Sequence, residues 1–223
     1  MKLFSISTAA DALQSSGSSY ISKSGIYDVI IKFASVEVSK NGAQSVNFNI
    51  EYNGNDQTIY GPYITNIKGE PLKIGVQLIN SLGIIANLAE GEDLAIEQET
   101  FAVGKDKTPK EFNIIPQFTD LPVKIRLQEE YSINANTKEI RKSMVPKAFY
   151  RAADNASAVE IVNNSEAGVQ LEKDKAYAEN ITYLDDLTAE AVEAWKASKA
   201  SGTAAPKTTP AATVKPVGSV FKK

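Results

Sequence analysis

Lys105, Lys107 and Lys110 open a run of cations that continues through Lys124, Arg126, Arg141, Lys142, Lys147 and Arg151, with Tyr131, Phe149 and Tyr150 set among them. Cations along a groove neutralise phosphates and aromatic faces stack on bases, so this mixture suits a single-stranded nucleic acid and demands no particular base sequence. Tyr52, Tyr60 and Tyr63 add further stacking faces, and Lys32 a further cation. Charge segregation supports the grouping. Residues 105–151 carry a net +4, between −5 for residues 1–104 and −6 for residues 152–200, although the whole chain sums to only −3. An anionic polymer meets the local surface and not the total.

Catalytic chemistry has little to draw on. The 223 residues include no Cys and no His, which removes disulfides, thiolate nucleophiles, zinc–thiolate sites, imidazole bases and the Ser-His-Asp triad. Glu90-Gly91-Glu92-Asp93 and Asp185-Asp186 are the remaining metal candidates, and both read as solvated acidic turns. Gly104-Lys105 would end a phosphate-binding loop, but Glu99 stands where its first Gly belongs, and Asp106 and Lys107 follow in place of Ser or Thr. The expectation is a binding protein with no enzymatic activity, cofactor or metal.

Hydrophobic residues make up 43% of the chain, enough for a packed core. No apolar run reaches the ~18–20 residues that span a bilayer. The longest, Leu72 to Leu88, is broken by Lys73, Gln77, Asn80 and Asn87. The opening residues lack the sustained apolar segment of a signal peptide, so the expectation is no membrane partner and residence in the compartment of synthesis.

The elements that must position the basic and aromatic groups are mostly strands. After a short helical piece at Ala9 to Gln14 and a Ser-rich lead, alternation begins at Gly25, with Val29, Ile31 and Phe33 assigned to one core-facing row. Lys40-Asn41-Gly42 predicts a tight hairpin turn, because Asn-Gly accepts positive φ. Val46, Phe48, Ile50 and Tyr52 line one face of a second strand. A third runs through Ile59 and Tyr60, interrupted by Gly61-Pro62 before Tyr63 and Ile64.

Pro71 suits a helix's first turn, and Leu72, Val76, Ile79 and Leu82 recur at helical spacing. A strand at Leu94 to Phe101 leads into a Lys-rich loop over 103–110. Val123, Ile125 and Leu127 then point inward, with Lys124, Arg126 and Gln128 outward. A turn at Asn134 to Thr137 precedes Lys138 to Tyr150.

Three hairpin-connected strands, a helix and further strands give a mainly β chain with the order of an OB-fold, a five-stranded Greek-key barrel with its helix between the third and fourth strands. The basic loop would then be one of the two that grip ligand. Beyond this domain (1–151), residues 152–200 read as an acidic helical extension. There Val159 to Asn163 forms an extra strand or lead-in, Leu171 to Asn180 a helix, and Thr188 caps another helix through Trp195. Residues 201–223 are an Ala/Pro/Thr/Lys tail whose composition cannot bury enough apolar surface to fold.

The order Gly25-Ile26-Tyr27-Asp28-Val29-Ile30-Ile31, then Lys40-Asn41-Gly42 and a polar strand, resembles the opening of phage-encoded single-stranded DNA-binding proteins. With its Lys-bearing Pro/Ala/Thr tail ending Ser-Val-Phe-Lys-Lys, the layout is most similar to the version carried by Schitoviridae, short-tailed phages with a giant virion RNA polymerase. The resemblance implies an OB-fold replication protein that coats single-stranded DNA in the cytoplasm of the infected bacterium. It also implies recruitment of bacterial RNA polymerase or replication proteins through the tail, with Ser219, Phe221, Lys222 and Lys223 as the matching residues. The commoner phage and bacterial tail is acidic, whereas this one is basic. Two other classes share part of the pattern. A structural or virion-associated β-barrel has no need of the cations at 105–151, and a strand-annealing recombination protein would form rings and pair complementary strands.

Overall fold

A computed structural model describes residues 20–104 and 107–201. The short helix expected at 9–14, Lys105, and the tail with Ser219, Phe221, Lys222 and Lys223 lie outside the described residues. The chain is mainly β, built on an open antiparallel sheet with few helices. It forms two compact units, whose described parts are residues 20–129 with 143–181, and residues 130–142 with 182–201.

In the first unit, β1 (Gly25–Val38) is the long shared strand. Its first half pairs with β6 (Leu121–Ile133) from Gly25↔Leu127 to Ile31↔Leu121, and Ile30 to Val38 pair with β2 (Gln44–Tyr52). The β1–β2 turn carries Gly42 at φ +90°, while Asn41, the other residue of the pair, does not take positive φ. β3 (Asn55–Ile59) continues the meander. On the other side of β1, Ala34 and Ser35 pair with β5 (Thr108–Ile115), which forms a hairpin with β4 (Glu97–Val103). The order is therefore β3-β2-β1-β5-β4, with β6 joined to β1 and β7 (Ile140–Arg151) to β6.

Alternation fills the core as expected from β6, where Val123, Ile125 and Leu127 are all 0% exposed. They pack with Ile31, Val46, Phe48, Ile50, Ile59 and Phe149, and with Leu78, Ile79 and Leu82 of α1 (Lys73–Ile85). Burying each large apolar side chain contributes roughly 1.5–3 kcal/mol. Pro71 stands before the helix cap, Leu72, and not in the first turn; it bridges to Thr65.

Phe33 departs from the expected row. The register shifts between Ile31 and Phe33, so Lys32 sits in a bulge, and Phe33 opposes Asn49 while Ala34 opposes Phe48. The extra residue reverses the side-chain parity. Val29 and Ile31 stay in the core, but Phe33 moves to the other face, where it stacks on Phe101 of β4 at 4.0 Å and 19° and lies 4.9 Å from Phe112 of β5.

The unit boundaries also differ from the expected division at residue 151. Val159 to Asn163 is not a strand: α2 (Ala158–Val162) begins at a capping box formed by Ser157 and Glu160. α3 (Val169–Lys175) follows, shorter than the helix expected to reach Asn180. Both belong to the first unit. Glu160 is the tie between them. Its carboxylate accepts the N–H groups of Ser157 at 2.7 Å, Gln170 at 2.6 Å and Gly168 at 3.3 Å. Burial alone would raise its pKa, but these donors outweigh burial and hold it below the ordinary value.

A carboxyl held low in the fold stabilises fully above its unfolded pKa, about 4.3, and that contribution is lost as pH falls through the folded value. Glu160→Gln is expected to cost about 1–2 kcal/mol at neutral pH and to flatten the acid limb. Thermal melts between about pH 5 and about pH 2.5 check this: parallel acid limbs in the two proteins would show that Glu160 does not carry it.

The second unit is small. The ends of β6 and β7 meet there around a turn in which Asn134 N–H donates to Glu139 O at 2.8 Å. Tyr131 is its centre, stacked on Tyr183 of β8 (Ile181–Tyr183) at 6.0 Å and edge-on to Trp195 at 6.1 Å. Trp195 belongs to α4 (Ala189–Ala200), which Thr188 caps as expected by accepting Ala191 N–H at 3.2 Å.

Candidate nucleic-acid interface

Two exposed aromatic rings sit on backbone that is closely packed and hydrogen-bonded to its neighbours. Tyr60 is 69% and Tyr63 53% exposed, on a strap that follows the end of β3 at Ile59. The strap continues alongside β2. Gly61 N–H donates to Asn47 Oδ1 at 3.1 Å, Val46 N–H to Pro62 O at 3.2 Å, and Ile64 N–H to Gln44 O at 2.8 Å. A Cβ on Gly61 would overlap the Val46 carbonyl oxygen, and one on Gly75 of α1 would overlap the Tyr63 carbonyl oxygen. Glycine at both positions lets strand, strap and helix close on one another. The Gly61-Pro62 pair interrupts the strand as expected, since β3 ends at Ile59, and it also anchors the strap.

The strap borders the face to which the bulge turns Phe33. By register, Phe33, Ser35, Asn47, Asn49 and Thr58 share this face, and Thr58 Oγ1 donates to Asn49 Oδ1 at 2.7 Å. The β4–β5 hairpin closes over one part of it. Between hairpin and sheet lies a groove of about 200 Å³ lined by Lys32, Phe33, Asn49, Thr58, Phe101 and Gly104, among others.

The expected basic loop over 103–110 is this hairpin's tip. Gly104 and Lys107 take positive φ of 76° and 47°, and Lys110 lies within β5. Lys107 ion-pairs with Asp56 across the groove, and Lys32 with Asp120 at 3.0 Å. The bond to Asp120 raises the Lys32 pKa, which keeps it charged. Lys110 is exposed, with no ion pair among the described residues.

Other expected contacts have different roles. Tyr131 and Tyr150 are both 0% exposed, so neither presents a face to a base. Tyr131 is the centre of the second unit. The Tyr150 hydroxyl donates to Asp174, whose other oxygen takes Arg126 at 3.1 Å. Burial, with this bond second, raises the Tyr150 pKa and keeps it a phenol. Arg126 and Tyr150 thereby pin α3 to the strands. Lys124 pairs with Asp28 directly opposite on β1. Arg151 binds Asp154 at 2.6 Å and holds that carboxyl down at about 2. Arg141 Nε donates to Ser132 Oγ at 2.9 Å within the second unit. Lys142 and Lys147 lie on β7, Lys142 in the second unit and Lys147 in the first.

The net +4 of residues 105–151 is therefore partly answered by acids from elsewhere in the chain, Asp28, Asp56, Asp154 and Asp174. On the first unit the exposed rings of Tyr60 and Tyr63 remain with Lys110, while Lys32 and Lys107 reach the surface in ion pairs with Asp120 and Asp56. Phe101 and Phe112 escaped the sequence reading. Phe101 was expected only as the end of a strand, and the available signal was two Phe residues flanking the Lys-rich loop over 103–110.

Among the described residues no cluster of three or more metal-ligating side chains forms, and no helix is long and apolar enough to cross a membrane. Comparison of the chain with family models, curated proteins and solved structures finds no match in any of the three.

Proposed function

We propose that this protein binds and coats single-stranded DNA without sequence preference, as a non-enzymatic replication protein of a phage, in the cytoplasm of the infected bacterium. The observation that carries the reading is the pair of exposed rings, Tyr60 and Tyr63, on a strap anchored to β2, in the same unit as the hairpin that bears Lys107 and Lys110. A backbone already held in place loses little entropy when bases stack on its rings, and the cations supply a sequence-independent attraction. Asp56 and Asp120 neutralise Lys107 and Lys32 in the free protein, and phosphates would take their place.

The fold proposed is an OB-type barrel with an inserted hairpin. β1, β2 and β3 are its first three strands, α1 follows as in that fold, and β6 and β7 are its fourth and fifth. The β4–β5 hairpin is the insertion. Pairing of β1 with both β2 and β6 supports this, as does the edge contact of Phe48 on β2 with Phe149 on β7 at 5.2 Å. The tail residues Ser219, Phe221, Lys222 and Lys223 would recruit bacterial RNA polymerase or replication proteins.

Fluorescence anisotropy with oligo-dT and an equal-length duplex, at two salt concentrations, tests the binding. The single strand should win, with log K falling against log salt at about −0.7 per neutralised phosphate. Replacing Lys105, Lys107 and Lys110 together by Ala should flatten that slope. Equal affinity for duplex, or no binding at low salt, would sink the proposal. Rapid pairing of complementary strands by ring-shaped assemblies would favour the annealing class instead.

A further inference from the structure

Away from that face, the first unit carries a cleft of about 610 Å³ between α1, the segment that follows it and α2, a volume within the ~300–1,000 Å³ of ligand sites. Its walls are mainly apolar, from Ile79, Ile84, Leu88, Leu94, Ile161 and Val162, with Asn80 and Asn87 beside them. Val162 is 66% exposed and Leu94 36%, so apolar side chains that line the cleft are open to solvent. The rim is acidic. Glu90 and Glu92 line the opening, Asp93 follows, and no Lys or Arg takes part. One oxygen of Glu92 accepts Ala89 N–H at 2.9 Å, and Glu90 has no hydrogen bond or ion pair among the described residues. An occupant has to bring apolar side chains and positive charge together.

One segment of the chain has that composition. Val217-Gly218-Ser219-Val220-Phe221-Lys222-Lys223 joins Val and Phe side chains to two terminal cations and contains no acid. We propose that the cleft of one copy takes Val217–Lys223 of a second copy. Phe221 and Val220 pack among Leu88, Leu94 and Val162, and Lys222 and Lys223 meet Glu90 and Glu92. A heterologous contact of this kind repeats from copy to copy, and where it does not close into a ring it builds an open line. That is the assembly a coated strand calls for, and to that extent the inference rests on the binding proposed above. Holding copies side by side on DNA would also raise the effective concentration of each tail at the next cleft.

The test needs no DNA, so its failure is distinct from failure of the oligo-dT titration. A methyl-labelled full chain carrying Phe221→Ala is mixed with unlabelled, unaltered chain. The methyl resonances of Leu88, Leu94 and Val162 are expected to shift and saturate. Lys222→Glu with Lys223→Glu in the unlabelled chain should weaken the effect about tenfold, and Glu90→Lys with Glu92→Lys in the labelled chain should restore it. Glu90 and Glu92 are exposed, and unchanged core methyls in the labelled variant verify its fold. Cleft methyls that do not move on mixing, or that move equally after charge reversal of the tail, overturn the proposal.

Discussion

A Gly61→Ala chain is expected to melt about 6–12 °C below the unaltered protein, the shift that ~3 kcal/mol produces in a domain of this size. The new Cβ would overlap the Val46 carbonyl oxygen and crowd the Phe48 ring, and Val46 and Phe48 are both 0% exposed. A carbonyl in a paired strand cannot swing aside as the end of a long side chain can, so the strap must lift from β2. Gly75→Ala meets the same obstacle at the Tyr63 carbonyl and should act in the same direction. Gly83, in the same helix, is the control. A Cβ there meets only Leu88 Cδ1 at 3.6 Å, an ordinary contact, so Gly83→Ala should stabilise by up to about 1 kcal/mol through helix propensity. Calorimetry of the three variants decides the matter. Equal melting temperatures for Gly61→Ala and Gly83→Ala would show that the strap is not locked.

Loss of Tyr60 and Tyr63 together should weaken oligo-dT binding by about 2–6 kcal/mol, at ~1–3 kcal/mol for each stacked base. The melting temperature should hardly change, because both rings are more than half exposed. The salt slope should also persist, since neither residue carries charge. Tyr150→Ala is the opposite case. It empties a fully buried site and strips Asp174 of a donor, so stability falls first and any effect on DNA follows from it. Anisotropy titrations and melts of the same samples separate the two outcomes. If the Tyr60/Tyr63 double variant binds oligo-dT as the unaltered protein does, the face is wrongly placed. The two glycine variants bear on the same point, since lifting the strap would displace both rings.

Much of the local structure was legible in the residues. The Asn41-Gly42 turn, the α1 spacing, the Thr188 cap and the inward row of Val123, Ile125 and Leu127 are each set by interactions within a few residues, or by a period that the hydrophobic effect reads directly. So is the lack of Cys and His, which needs no fold to limit chemistry. The Ser157–Glu160 capping box is equally visible at its spacing of three, yet Val159 to Asn163 reads as an extra strand or a lead-in, and its β-branched residues suit a strand.

The tertiary structure alone decided which groups reach the surface. A single bulged residue at Lys32 inverts everything after it, which no alternation count reveals, and this moves Phe33 from the core to the stack with Phe101 and Phe112. The pairings Lys107–Asp56, Lys124–Asp28 and Arg126–Asp174 join residues 51, 96 and 48 positions apart. Block charge along the chain cannot anticipate them, because neutralisation depends on distance in space. Tyr131 and Tyr150 look like Tyr60 and Tyr63 in sequence. The first two are covered by α4 and α3, and the others lie on a strap that nothing covers among the described residues. A tyrosine suits either setting, being apolar in its ring and polar at its tip, so only the packing around it selects between core and interface.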